Sequence, residues 1–415
     1  MERAAHAFTR RTPDSRHRWT PTIWAVVVLW GLWCGHLTWA AELSIEWLTL
    51  SKDVLENWQT RIPVDQKAVL YAQPRWPLKA GQSAKKILAF VPKKSSSYGL
   101  ATSKLLEVLQ LEEMYADVTV AYIDFENDEE GGKVALHRAE HDNVDLIFSI
   151  GSETADFLHQ FYRDGKIPVV TSTNKDPVPL GQMPNYHDGS GSNIATTSLN
   201  VPLDIQLNYL LELKPNLRNI GLMYHKHHKQ VMITEVLPAQ KEFTNRQLQV
   251  VDIAVESPTT SKEELTRLMP QAIEAMRQTD PELQNSIFWV TSATAVFDQI
   301  ETISQNSGKV PVIGTVPNMV NKGDHSAVLA IGIDRRNNAY LASIYAVKIL
   351  RGEAAPGQLK VGVVTPPDIA INFRIARKIG LKIPFRFFES AAFIYDPDGE
   401  MVRAFGQKVI KNGTN

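Results

Sequence analysis

The side chains with the most evident chemistry are histidines. His137-Arg138-Ala139-Glu140-His141 sets two imidazoles four residues apart, a spacing that puts both on one helix face and suits zinc. The segment is short and polar and lies between two strands, so it reads as a solvated helix face. His225, His227 and His228 form a second group directly after a strand. Metal binding there would need neutral imidazoles, and Lys226 and Lys229 repel a cation, so this group reads as a polar loop beside a cleft. No Walker A loop and no G-x-G-x-x-G follows any strand, and no G-x-S-x-G elbow is present. No nucleophile–base pair or metal constellation emerges. The expectation is a chain that catalyses nothing and holds no cofactor or metal.

Binding chemistry, by contrast, recurs at strand ends. In an open parallel sheet, ligands sit where the carboxyl ends of strands meet loops and helix N-termini. In the first half of the chain those ends carry Ser96, Ser97 and Tyr98, then Ser152, Glu153 and Thr154, then Asn174 and Asp176. In the second half they carry Tyr224 and His225, Thr291 and Ser292, and Thr315 and Asn318. Ser and Thr cap helices as a matter of course. The same caps and amides seat a carboxylate or another anion, and an acid such as Asp176 can neutralise an ammonium.

The elements that must position these residues alternate. Short apolar runs at 87–91, 118–123, 144–150 and 167–170 predict strands, and 101–111, 133–141 and 154–162 predict helices between them. A polar stretch rich in Pro, Gly and Ser, 174–193, predicts a crossover. The alternation then restarts: helices at 203–213, 231–246, 261–278 and 337–350, and strands at 219–224, 248–255, 286–290, 310–314 and 327–333. Apolar strands alternating with amphipathic helices mean parallel sheets covered on both faces. The expected fold class is α/β, with two doubly wound parallel-sheet lobes.

Composition agrees with a globular chain of more than one domain: 415 residues, 44% apolar, 21% charged. With 44 Lys+Arg against 45 Asp+Glu, the net charge of -1 offers no basic footprint for nucleic acid. At the start, Arg3, Arg10, Arg11, Arg16 and Arg18 precede an apolar run from Ile23 to Leu37 and the small-residue site Thr38-Trp39-Ala40. This is the pattern of a secretory signal over 1–40, and it predicts a periplasmic or otherwise exported product, soluble once cleaved. The only cysteine, Cys34, lies inside that signal, so the mature chain has no disulfide. Residues 41–84 form an extra leader. Trp47, Leu48, Val54, Leu55 and Trp58 fall near one helical face, and Pro63, Pro74 and Pro77 then impose an extended course. After Tyr395, the turn Asp396-Pro397-Asp398-Gly399 predicts a C-terminal hairpin within a tail over 396–415.

Several stretches, in order, carry a resemblance. They are Ile167-Pro168-Val169-Val170 leading to Asp176-Pro177, Leu210 to Pro215 followed by Asn219 to Tyr224, Val310 to Gly314, Ile331 to Asp334, Ala339 to Gly352, and Ile371-Asn372 followed by Ala376 to Pro384. Together they resemble the substrate-binding proteins of ABC transporters with a type I periplasmic-binding fold, the subgroup with tryptophan- and phenylalanine-binding members. The crossover Gly189 to Ile194 departs from the family's usual turn, and the leader and C-terminal hairpin are additions. The resemblance implies two lobes joined by three crossovers and closing like a hinge, with the first over 85–197 and 334–355 and the second over 198–333 and 356–395. It implies Asp176 as the partner of a ligand amino group, and Ser96, Ser97, Ser152 and Thr154 as partners of a carboxylate. It places Tyr98 and Tyr224 along a side-chain pocket, and Asp334 at a hinge strand facing the cleft. The implied partners are a small polar or zwitterionic ligand, an amino acid among the candidates, and an ABC permease. A membrane receptor used for sensing is the alternative. The protein is expected to work as a monomer.

Overall fold

The computed structural model describes residues 44–409; the signal expected over 1–40 lies outside them. Among the described residues no helix is long and apolar enough to cross a membrane.

Two sheets organise the chain. The first runs in the order Trp58–Arg61, Val69–Pro74, Ala116–Tyr122, Lys85–Val91, Leu146–Ile150, Val169–Ser172 and Ile194–Ala195. Its last five strands are parallel. The second runs Gln249–Val255, Asn219–His225, Ser286–Val290, Val312–Gly314 and Leu329–Gly332, all parallel, and then continues through Asp368–Asn372, Ala391–Tyr395, Met401–Ala404 and Gln407–Lys408. Counted along the sequence, each parallel part has the order 2-1-3-4-5 of a doubly wound sheet, with its switch point between the first and third strands. The central strands are buried on both faces. Leu146–Ile150 and Ser286–Val290 are buried at every residue, which is why they read as unbroken apolar runs and not as alternating ones.

The chain passes between the sheets through Thr197–Ser198 and Gly362–Val363, which pair in parallel with each other, and through the segment at Asp334. The helix Arg335–Leu350 opens at this third passage, with Asp334 as its N-cap. It packs beside the helix Ser96–Leu111 on the core of the first sheet. Asn338, on its first turn, ties the passages together. Its Oδ1 accepts from the Thr173 N–H at 2.8 Å, and its Nδ2 donates to Thr197 Oγ1 at 3.1 Å and to the Ser198 carbonyl at 3.0 Å.

Three expectations change. The helical face expected from Trp47 to Trp58 is broken into a small hairpin, Ser44–Ile45 with Leu48–Thr49, and a single short helix, Lys52–Asn57. Trp58 already belongs to a strand that pairs with Val69–Pro74, and that strand extends the first sheet antiparallel to Ala116–Tyr122. Local spacing gave way to the tertiary pairing that buries Trp58 fully. Ile194, expected at the end of the crossover, starts the fifth parallel strand of the first sheet, where Ile194 and Ala195 are wholly buried. The helix expected over 231–246 contains a wider turn, the π-helix Met232–Val236, before Leu237–Asn245. The C-terminal hairpin forms as expected, from Ala391–Tyr395 and Met401–Ala404.

Candidate functional site

The carboxyl ends of both sheets converge on one cleft, and a lysine crosses it. Lys175 follows the fourth parallel strand of the first sheet, and its Nζ lies 3.0 Å from Glu235 Oε1 in the π turn of the other lobe. The same ammonium also donates to the Ser292 hydroxyl, beyond the strand Ser286–Val290. Glu235 is 4% exposed, and a carboxylate that deep persists only when its lone pairs are filled. Oε1 accepts from Lys175, the Ser292 hydroxyl and Asn200 Nδ2 at 3.1 Å; Oε2 accepts from the Ser292 N–H at 2.9 Å. Burial alone would raise the Glu235 pKa. The Lys175 charge and the Ser292 donors outweigh it and hold the carboxyl below its usual range. The π turn is what brings Glu235 inward, since a wider turn rotates one residue off the regular helical face.

Two neighbouring cavities lie at this junction and share Asn200, Val201, Gln206 and Glu235. The narrower one, about 20 Å³, is also lined by Lys175, Ser292, Thr315 and Arg335. The wider one, about 300 Å³, is lined further by Asp176, Tyr186, Leu203, Pro238 and Trp289. Arg335 is half-buried; its guanidinium stacks over the Phe297 ring at 5.5 Å. A second strap spans the lobes at the cleft's rim, where Gln230 Nε2 donates to Asp156 Oδ2 at 2.9 Å.

The expected residues divide into several groups. Ser292 and Thr315 line the narrow cavity, and Ser152 supports it by accepting the Lys175 N–H at 3.1 Å. Asp176 lines the wide cavity, but its carboxylate is engaged: Oδ1 accepts the Val178 N–H at 3.0 Å, and Oδ2 accepts the Tyr186 hydroxyl. Burial is the main cause of its raised pKa. Glu153 accepts from Lys93 and from the Tyr98 hydroxyl at 3.3 Å. Thr154 and Thr291 spend their hydroxyls on the carbonyls of Ile150 and Met223, and Asn174 binds Gln182 through its amide. Asp334 caps its own helix and pairs with Arg336.

The remaining candidates lie elsewhere. Ser96 lines a separate cavity beneath the leader, and Ser97 donates its N–H to Ser95 in the cap of its helix. Tyr224 pairs with Asp252 and Gln240 across the outer strand, and His225 contacts the Glu256 carbonyl at 3.1 Å. Asn318 is exposed. Among the described residues no three metal-ligating groups gather. Of the three loop histidines, His228 turns toward the cleft. Burial, and then the Lys175 charge, push its pKa down to about 4, so its ring is neutral at physiological pH.

Sequence reasoning passed over Lys175, Asn200, Gln206, Glu235 and Arg335. Lys175 sits between two residues that it did single out, which was the available signal. A charged residue on a helix or loop is ordinarily solvated, and only the crossing of two distant segments shows otherwise.

A family model described as ABC transporter substrate binding protein matches residues 94–393. No curated protein matches the sequence. Among solved structures, a conserved domain protein from Vibrio cholerae aligns with a TM-score of 0.58 at 19% identity, over 75% of this chain and 100% of its own. A substrate binding protein with adhesive properties from Clostridium difficile, in a ligand-free, open form, gives a TM-score of 0.57 at 20% identity, over 75% and 99%. An ABC domain from Streptococcus pneumonia in complex with L-Trp gives 0.56 at 20% identity, over 74% and 99%. At these identities the likeness is one of fold.

Proposed function

The chain belongs to the family of ABC transporter substrate binding proteins and has the type I periplasmic-binding fold, and from that premise we propose that it captures a small polar ligand between its lobes and delivers it to an ABC permease. The observation that carries the reading is the junction of Lys175, Glu235, Ser292 and Asn200, at the carboxyl ends of both sheets. A clamp needs contacts from both lobes that form only on closure. Here residues from the two sheets meet across the cleft at two places, Lys175 with Glu235 and Asp156 with Gln230. The lobes of this reading are residues 85–197 with 334–355, and 198–333 with 356–395. Export over the signal 1–40 belongs to the same reading, as do zwitterionic amino acids among the candidate ligands. The L-Trp held by the Streptococcus pneumonia domain supports including them.

The test is a thermal-shift screen of the chain from Ala41 onward, since a ligand bound only by the folded state raises its stability by mass action. A hit should lower the radius of gyration in small-angle scattering, and Ser292→Ala should weaken it. Hits that neither compact the protein nor respond to Ser292→Ala would sink the clamp reading.

A further inference from the structure

Resting on that reading of the cleft, we propose that the ligand is a small organic carboxylate without an ammonium group, its anion held by Arg335 and Lys175 and its body lying toward Trp289. The inference comes from counting which charges in the cleft are already answered. The acids around the cleft are engaged: Asp156 accepts from Gln182 and Gln230, and Glu153 from Lys93 and Tyr98. Glu235 accepts from Lys175, Asn200 and both donors of Ser292. Asp176 accepts from Val178 and Tyr186. Asp334 is forked by Arg336, at 2.9 Å to Oδ1 and 3.0 Å to Oδ2. A ligand ammonium would have to displace a donor the protein already supplies, and Lys175 itself occupies that role toward Glu235.

The cations are not answered in the same way. Arg335 lines the narrow cavity, and among the described residues it has no hydrogen-bond or ion-pair partner. Its planar fork matches a carboxylate with two parallel bonds. Lys175 spends two of its three N–H groups, on Glu235 and Ser292. Lys175 and Glu235 cancel, and Asp334 and Asp298 act on Arg335 through charge without a hydrogen bond or ion pair, so its guanidinium fork stays open to an anion.

Gln206, 5% exposed, lines both cavities; its Nε2 donates to the Val201 carbonyl at 2.9 Å, and its buried Oε1 has no partner. A neutral acceptor of this kind suits a hydroxyl, so hydroxycarboxylates fall within the class. The wide cavity offers Val201, Leu203, Pro238 and Trp289 to an apolar body.

Two series with a constant skeleton test this by calorimetry: L-leucine, 2-hydroxy-4-methylpentanoate, 4-methylpentanoate and 3-methylbutylamine, and L-phenylalanine, 3-phenyllactate, 3-phenylpropanoate and 2-phenylethylamine. The expected result is binding by the acid or hydroxy acid of at least one series, more tightly than by its amino acid, and none by the amines. Arg335→Gln should weaken that binding roughly tenfold to a hundredfold. Without ligand it should melt close to the wild type, because it loses a ring contact with Phe297 but no hydrogen bond or ion pair. If it does not fold, Arg335→Lys, which keeps the charge and loses the fork, should weaken binding by a smaller factor. Tighter binding of an amino acid or amine, no binding by any of the carboxylates, or equal affinity in the Arg335 variant would each overturn the proposal. An amino acid that compacts the protein while the carboxylates fail would overturn this inference and leave the clamp standing. Carboxylates that bind without compaction and ignore both Arg335→Gln and Ser292→Ala would overturn the two together.

Discussion

His159 sets an acid limit on this fold. The ring lies in the last turn of the helix Ser152–Phe161, with its Nε2 buried and without a hydrogen-bond partner. Burial, and then the Arg163 charge, lower its pKa to about 4. The unfolded chain regains a value near 6.5. Between those two values the unfolded state binds the proton that the folded state refuses, so stability falls as pH drops from about 6.5 to about 4. The loss is roughly 3 kcal/mol over that interval. Urea titrations at pH 7 and pH 4.5 should therefore show a smaller difference in His159→Gln than in the wild type. An equal difference in both would remove His159 as the cause. The buried acids of the cleft titrate in both proteins, so the comparison isolates the ring. Asp176 teaches a related lesson about single residues. Its type and its place after a strand pointed to the cleft, and it does line a cavity there. The Tyr186 hydroxyl that takes up its charge comes from a loop whose course no periodicity encodes.

At the scale of elements, the leader is seated on the first lobe through a glycine. A Cβ built at Gly99 would lie 2.2 Å from the Thr49 carbonyl oxygen, a distance no side chain tolerates. The absence of a side chain on the helix Ser96–Leu111 is what lets the strand Leu48–Thr49 approach. The Ser51 N–H then bonds Ser103 Oγ at 3.0 Å, and Trp47 donates its indole N–H to the Lys67 carbonyl at 2.9 Å. Gly99→Ala should push the hairpin off the helix and cost about 1–3 kcal/mol, the range for overpacking a well-filled core. Chemical denaturation measures the loss, and a red shift in tryptophan fluorescence would report Trp47. An unchanged midpoint would show that the leader adjusts without penalty. The alternating strands and helices were legible in the sequence because buried parallel strands are apolar throughout and their helices are amphipathic. The leader and the π turn were not legible. Trp58 is a strand residue only because Val69–Pro74 lies beside it, and Glu235 turns inward only through a local change of helical pitch.

At the scale of the molecule, the chain's own polar contacts bias the lobes toward closure, and a ligand shifts that balance further. Lys175 with Glu235 and Gln230 with Asp156 are the two straps. Removing one partner of a buried ion pair ordinarily costs about 3–5 kcal/mol, because the remaining charge is stranded. Here a cheaper route exists. If the lobes part, Glu235 regains water, so the penalty falls on closure and not on folding. Lys175→Met should therefore leave the unfolding midpoint little changed while enlarging the ligand-free radius of gyration in small-angle scattering. Adding Gln230→Ala should enlarge it further, since the straps lie at separate points of the cleft. A control sits outside the cleft. Asn338 binds the passages at the hinge itself, with Thr173, Thr197 and Ser198 as partners. Asn338→Ala strands buried donors and acceptors that no opening of the lobes can hydrate, and should lower folding stability by about 1–3 kcal/mol. A Lys175→Met protein that unfolds easily at an unchanged radius would show that the ion pair supports the fold itself, and that closure does not depend on it.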